Sequence, residues 1–284
     1  MYEKAVICTD LTAESDDLVA CAGGLRVFGL NVVVLAHVVD VFSSVGVMPS
    51  NQAEVAFSRQ IETLENHGFR VHIEAPMGHP VFSLRNLSRE HGASLIVVAS
   101  HGTGVFSTPF SGNVPSDLVV LSETPVFVAS PCRLVAAGKR DCGQVLSNVL
   151  YATDFSKSAE KAFETTLGLV GLGAQAVTVL HIQDVERLGN AHTNLVPEYD
   201  RKDIIRLERM RERLVEVGAT NVSTDLVHGK PVDEMTKRTA SGDYSLAVMG
   251  SRGRSKRDTV LGGVSGKVVE ATRTPILIVP AQVG

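Results

Sequence analysis

The feature that most constrains this chain is that it is written twice. Asp10 and His37 recur as Asp154 and His181, both 144 positions later. Gly78, Pro80, Ser100 and Gly102 recur as Gly229, Pro231, Ser251 and Gly253, each 151 positions later, and Pro125 recurs as Pro275 at 150. Offsets this steady mark a duplication, so the chain must fold as two similar units. The second copy gains seven residues between His181 and Gly229 and loses one between Gly253 and Pro275. The segment Arg133 to Gln144, RLVAAGKRDCGQ, has no periodicity and reads as a linker. The expected boundaries are therefore a first domain over 1–132, a linker over 133–145 and a second domain over 146–284. Each half of the 284 residues is large enough to bury its own core without a covalent staple.

Within each copy, short apolar runs alternate with stretches of helical period. The first copy predicts strands at Ala5–Thr9, Asn31–Val38, Arg70–Glu74, Leu95–Ser100 and Pro125–Ala129. Helices are predicted over Ser15–Phe28, Gln52–His67, Pro80–His91 and Pro115–Leu121. The second copy repeats the order: strands at Asn148–Ala152, Ala176–Ile182, Val222–Val227, Leu246–Met249 and Ile276–Val279. Its helices fall at Ser156–Val170, Asp200–Val217, Pro231–Ala240 and Val264–Ala271, with a polar insertion through Pro197. The helix from Asp200 carries enough charge to keep one wet face. Strands that alternate with helices pair in parallel through right-handed crossovers. The expected fold is α/β: two tandem doubly wound parallel sheets of five strands, with helices on both faces.

Composition narrows the function. A net charge of −4 argues against general nucleic-acid binding, which needs a basic surface to release counterions. No apolar run is long enough to span a bilayer, and the start MYEKAVICTD enters a strand without a signal-peptide pattern, so a cytoplasmic location is expected. Cys8, Cys21, Cys132 and Cys142 form no Cys-x-x-Cys pair and have no matching His spacing, which excludes the usual zinc and dithiol patterns. The loop from Val41 to Ser50, VFSSVGVMPS, is long and apolar for a mere connection, as functional loops often are.

The chemistry concentrates at two places in each copy. In the second, an apolar strand runs into Gly250 and Gly253, then a basic segment with Arg252, Arg254, Lys256 and Arg257, then Gly262-Gly263 before a helix. Glycines admit close backbone approach, and the free N–H groups of a helix start attract anions. The first copy has the same design over Val97–Val114, with Gly102, Gly112 and Asn113, but only His101 as a nearby cation. The other place is the end of strand one, where Asp10 and Asp154 stand. Ligands of open α/β sheets bind at the carboxyl ends of the strands where the order reverses. If strands one and four are neighbours there, carboxylate and glycine loop face one pocket. A carboxylate suits ribose hydroxyls or adenine N–H, glycine amides suit phosphate, and together they describe a nucleotide.

The motifs YATDFS at Tyr151–Ser156, VLHIQD at Val179–Asp184 and the GSRG…GG loop resemble the universal stress protein family, along essentially the whole chain as two tandem copies. The resemblance implies a Rossmann-like fold of the adenine nucleotide alpha hydrolase-like kind, and an adenine nucleotide (ATP, ADP or AMP), with Mg2+ as an optional companion. In ATP-binding members, Gly-x-x-Gly, nine residues and Gly followed by Ser or Thr hold the nucleotide, together with the Asp after strand one and the residue after the strand-two His. Carried onto this sequence, the second-copy site is Ala152, Thr153, Asp154, Ile182, Gly250, Ser251, Arg252, Gly253, Gly262, Gly263, Val264 and Ser265. The first-copy site is Asp10, Val38, Gly102, Gly112 and Asn113. Both copies depart from the pattern. Eight residues separate Gly253 from Gly262, and Gly263 takes the hydroxyl position, although Ser265 is near. In the first copy Ala99 replaces the leading glycine and Asn113 the hydroxyl residue. The second copy is the expected phosphate binder.

Blander readings stand beside these. Asp10 and Asp154 also suit helix-cap or turn roles, His37 and His181 packed polar roles, and Arg252–Arg257 an ordinary solvated loop. No Gly-x-Gly-x-x-Gly follows strand one and no Gly-Lys-Ser/Thr is present, which excludes the dinucleotide and Walker patterns. Nor is a Ser-His-Asp order or nucleophile elbow visible. A nucleotide-gated stress-response signalling module is expected rather than an enzyme. A slow ATP hydrolase, or a tandem with decayed sites acting through an unknown protein partner, are the alternatives. Family members dimerise through the last strand, so PVFVAS and PILIVP imply a pseudo-dimer of the chain's own two domains, with a homodimer of whole chains also open.

Overall fold

The computed structural model describes residues 1–39, 50–100, 114–129, 144–185, 195–253, 263–272 and 274–281. Residues 41–49 of the apolar loop, residues 133–143 of the linker, and Cys132 and Cys142 lie outside the described residues. So do Gly102, Gly112 and Asn113 of the first glycine loop, and Arg254, Lys256, Arg257 and Gly262 of the second. The chain divides into two compact units, Met1–Gln144 and Val145–Gly284.

Unit one runs β1 (Lys4–Cys8), α1 (Ala13–Cys21), a 3-10 segment (Ala22–Phe28), β2 (Val32–Ala36), α2 (Ser50–Asn66) and β3 (Arg70–Glu74). It continues with α3 (Pro80–Glu90), β4 (Leu95–Ala99), α4 (Val114–Leu121) and β5 (Val126–Ala129). Its sheet is parallel in the order β3-β2-β1-β4-β5. Val6 of β1 pairs with Val34 of β2 on one side and Ile96 of β4 on the other, so the order reverses between β1 and β4. The valine-rich β2 is buried along its whole length, as a strand covered on both faces must be. The edge strand β3 leaves Arg70, His72 and Ile73 exposed.

Unit two runs β6 (Val149–Thr153), α5 (Lys157–Gly171), β7 (Ala176–Gln183), α6 (Val196–Glu216) and β8 (Asn221–His228). Then follow α7 (Pro231–Ala240), β9 (Leu246–Gly250), α8 (Val264–Ala271) and β10 (Ile276–Val279). The sheet order is β8-β7-β6-β9-β10, again parallel. Ala152 pairs with Leu180 of β7 and with Met249 of β9, which sets the reversal between β6 and β9. Both units are thus doubly wound, and the strand-one and strand-four ends lie side by side in each.

Two elements differ from the sequence reading. The helix predicted over Ser15–Phe28 is α-helical only to Cys21 and 3-10 beyond it. Gly23-Gly24 weakens the α-helix there, and Gly23 lets the His67 ring come so near that a Cβ would meet its Nδ1 at 2.5 Å. Helix α6 starts at Val196, not Asp200, because Pro197 stands in its first turn, where its fixed φ and missing N–H cost nothing.

Strand and helix are tied locally in unit two by Tyr151, whose buried hydroxyl donates to the Ala159 carbonyl at 2.7 Å. Burial raises its pKa, so the phenol stays a neutral donor. Burial likewise pushes the Cys8 thiol up to about 12, with the nearby Asp10 charge adding to the shift. Cys8 is a thiol rather than a reactive thiolate.

Candidate functional site

The turn after strand one is built identically in the two units from a Thr, an Asp and a left-handed residue. Leu11 and Phe155 have φ of 62° and 58°, a conformation side chains rarely adopt outside glycine and asparagine. Their amides donate to the hydroxyls of Thr9 and Thr153, both at 3.0 Å. The next amides, of Thr12 and Ser156, donate to Oδ1 of Asp10 and Asp154 at 3.1 and 3.0 Å. Thr12 and Ser156 then cap α1 and α5 by accepting from Ser15 and Ala159 amides. The carboxylates therefore serve a turn, as the blander reading expects, and the turn aims them at the carboxyl edge of the sheet.

The hydroxyls around the two turns differ. Asp10 Oδ1 also accepts from the hydroxyls of Thr12, at 2.5 Å, and Ser15. In unit two Ala159 stands at the place of Ser15 and has no hydroxyl to give. The Ser156 hydroxyl instead donates across to the Arg252 carbonyl at 3.2 Å.

His37 and His181 are packed polar residues. Their Nδ1 atoms lie 3.0 and 2.7 Å from the carbonyls of Thr9 and Thr153, tying strand two to the end of strand one. Ile182 follows, half-buried beside the Asp154 turn, since its neighbour His181 pairs with Thr153. Val38, its counterpart, is buried.

The glycine loop of unit two is fastened to α5 before any ligand is considered. A Cβ on Gly250 would lie 2.5 Å from Ser158 Oγ and 2.7 Å from the Ala159 amide nitrogen, so this glycine is demanded by the start of α5. The buried Ser158 hydroxyl donates to the Arg252 carbonyl and accepts from the Arg252 amide at 3.4 Å. On the other side the buried Ser265 hydroxyl donates to the Ser251 carbonyl at 2.7 Å, so its one proton is committed to the loop. Arg252 and Gly253 are exposed at the rim. Sequence reasoning missed Ser156 and Ser158 as loop anchors; the Ser-x-Ser at the start of a predicted helix was their one signal.

Beyond the loop, Gly263 stands at the N-cap of α8 and has no side chain to cap it. No acidic residue lies in the first turn, and Lys267 is exposed there. Helix α4 of unit one has Asp117 at the equivalent place. Negative charge is welcome at a helix start, and Asp117 already supplies it where a phosphate would compete. The described residues of unit two thus bring together Asp154, Ile182, Ser251, Arg252, Gly253 and the start of α8. In unit one only Asp10 and Val38 among the expected site residues are described. No group of three or more His, Cys, Asp or Glu suited to a metal occurs among the described residues. Among them no helix is long and apolar enough to cross a membrane.

The profile of the universal stress protein family matches residues 1–130 and again 146–280. Universal stress protein MJ0577 of Methanocaldococcus jannaschii is 27% identical over 154 residues, covering 46% of this chain and 93% of that protein. Universal stress protein Rv2005c of Mycobacterium tuberculosis is 26% identical over 207 residues, 70% of this chain and 65% of its own length. Among solved structures, a universal stress protein from Archaeoglobus fulgidus superposes with a TM-score of 0.70 at 20% identity. That match covers 98% of this chain and 96% of the other, and it establishes the shared fold.

Proposed function

Because the chain belongs to the universal stress protein family, we propose that it is a regulatory module that binds an adenine nucleotide in unit two. The observation that carries this reading is the reversal between β6 and β9, which sets the Asp154 turn beside the glycine loop that leads to the Gly263 start of α8. Asp154 accepts from ribose hydroxyls or the adenine amino group. Ile182 packs against the base. The amides of Gly253, Val264 and Ser265 receive the phosphates, with Arg252 and the following cations screening their charge. Three of the motif glycines are assigned different tasks: Gly250 admits α5, whereas Gly253 and Gly263 keep side chains out of the phosphate path. A Mg2+ ion, where present, rides on the phosphates.

Binding rather than turnover is the proposed activity, because the Asp154 carboxylate accepts from the Ser156 amide within its own turn and the sequence has no Ser-His-Asp order or nucleophile elbow. Unit one is proposed as the weaker site, with Asp10 held by two hydroxyls and Asp117 at the helix start. Native mass spectrometry of the purified chain should find AMP, ADP or ATP bound, and timed incubation should return ATP intact. A chain that carries and takes up no nucleotide would sink the reading. Phosphate release lost in Asp154→Ala would make it a hydrolase.

A further inference from the structure

Unit two carries a buried polar cluster with no counterpart among the described residues of unit one. Asp203 of α6 is buried and faces Arg206, His181 and Gln183. Arg206 Nη1 is 3.2 Å from its Oδ1, and His181 Nε2 and Gln183 Nε2 are each 3.4 Å from its Oδ2. His181 is held at its other nitrogen by Thr153. The Phe155 ring lies 4.5 Å from the His181 ring, and the Arg206 guanidinium lies over it at 5.0 Å. His181 and Arg206 thus meet on one left-handed residue, Phe155, which directly follows Asp154.

In unit one the same turn has Leu11, which offers no ring to a cation. Leu64 and Leu214, both fully buried near the ends of α2 and α6, align the two helices at 150 positions. That register puts Ala53 and Ala56 where Asp203 and Arg206 stand. His37 meets the Phe57 ring there, at 6.0 Å, in place of a carboxylate.

We propose that Asp203 is the positioning residue of the unit-two site. It holds His181 and Arg206 against Phe155, and so keeps the left-handed turn that presents Asp154 to the nucleotide. A left-handed non-glycine residue is strained and persists only where its surroundings over-determine it. Unit one over-determines its turn with the Ser15 and Thr12 hydroxyls on Asp10, at the expense of the carboxylate. Unit two braces its turn from outside, through Asp203 and Arg206 of α6. The site's affinity thereby depends on where α6 lies, so anything that displaces α6 regulates nucleotide binding. This inference rests on the adenine-nucleotide reading of the same site.

The chain has no tryptophan, so Phe155→Trp places a single reporter in the cluster. In that background Asp203→Asn, which keeps shape and removes charge, should shift the indole emission to the red and raise its access to acrylamide. Calorimetry with ATP should show affinity falling about tenfold in Asp203→Asn and in Phe155→Leu, as the competent turn becomes a minority. Phe155→Tyr should restore it. Arg206→Ala, whose side chain is half exposed, should fold normally and show a smaller loss in the same direction. Unchanged emission and quenching in Asp203→Asn overturn the positioning role, whether or not nucleotide binds. A released indole with unchanged ATP affinity in Asp203→Asn and Arg206→Ala overturns its link to the site. Failure of the wild-type chain to bind ATP would instead refute the nucleotide reading, and the emission result would still decide the cluster.

Discussion

The two units solve one problem, the sharp turn after strand one, with different partners. In unit one the turn closes on itself: Thr12 and Ser15 hydroxyls crowd Oδ1 of Asp10. In unit two the equivalent hydroxyl, Ser156, leaves the turn for the Arg252 carbonyl, and Ser158 joins it. The turn and the glycine loop of unit two are therefore one fastened assembly, made possible by Gly250 where unit one has Ala99. A repeated fold thus need not repeat its bracing: the hydroxyls that close the turn on itself in one copy tie the turn to the glycine loop in the other.

The largest effect should come from the residue that permits this fastening. Gly250→Ala drives a methyl onto the Ala159 backbone and should cost about 3 kcal/mol in urea unfolding, the upper part of the overpacking range. The mirror change, Ala99→Gly, should cost ~1 kcal/mol or less, a backbone-entropy effect alone. Equal losses would mean that Gly250 plays no special packing part.

The fold was legible because its signals are local. Proline at a helix start and glycine after its end bound α3 and α7, and unbroken valine runs marked β2 and β4. The family motifs found both Asp turns from sequence alone. What sequence could not tell is what each glycine admits. Gly250 looks like a phosphate glycine, but its near neighbours come from residues 158 and 159, far back in the chain. The Asp203 cluster was equally hidden, since it depends on how α6 is rotated against β7, and in sequence Asp203 and Arg206 look like two more charges on a wet helix. Equally unreadable was the packing of the His67 ring on Gly23 of the 3-10 stretch, more than forty residues earlier.

A smaller effect should follow from the opposed charges at the two helix starts. Lys267→Asp should weaken ATP binding in unit two a few-fold, since an exposed charge near a helix terminus is worth about 0.3–1 kcal/mol. Asp117→Lys should strengthen any ATP binding by unit one by a similar factor. Both changes should shrink as salt is raised, because surface charges are screened over roughly 10 Å at 0.1 M. Salt-independent shifts would point to altered packing instead.

Calorimetric titration of Gly253→Val and Gly102→Val with ATP and AMP tests the central claim, that unit two is the phosphate-reading site. Gly253→Val pushes a branched side chain into the proposed phosphate path, so tight ATP binding should be abolished while Gly102→Val keeps most of it. The residual binding in Gly253→Val should discriminate little between AMP and ATP. Equal losses in the two variants, or a larger loss in Gly102→Val, would show that the stronger site lies in unit one.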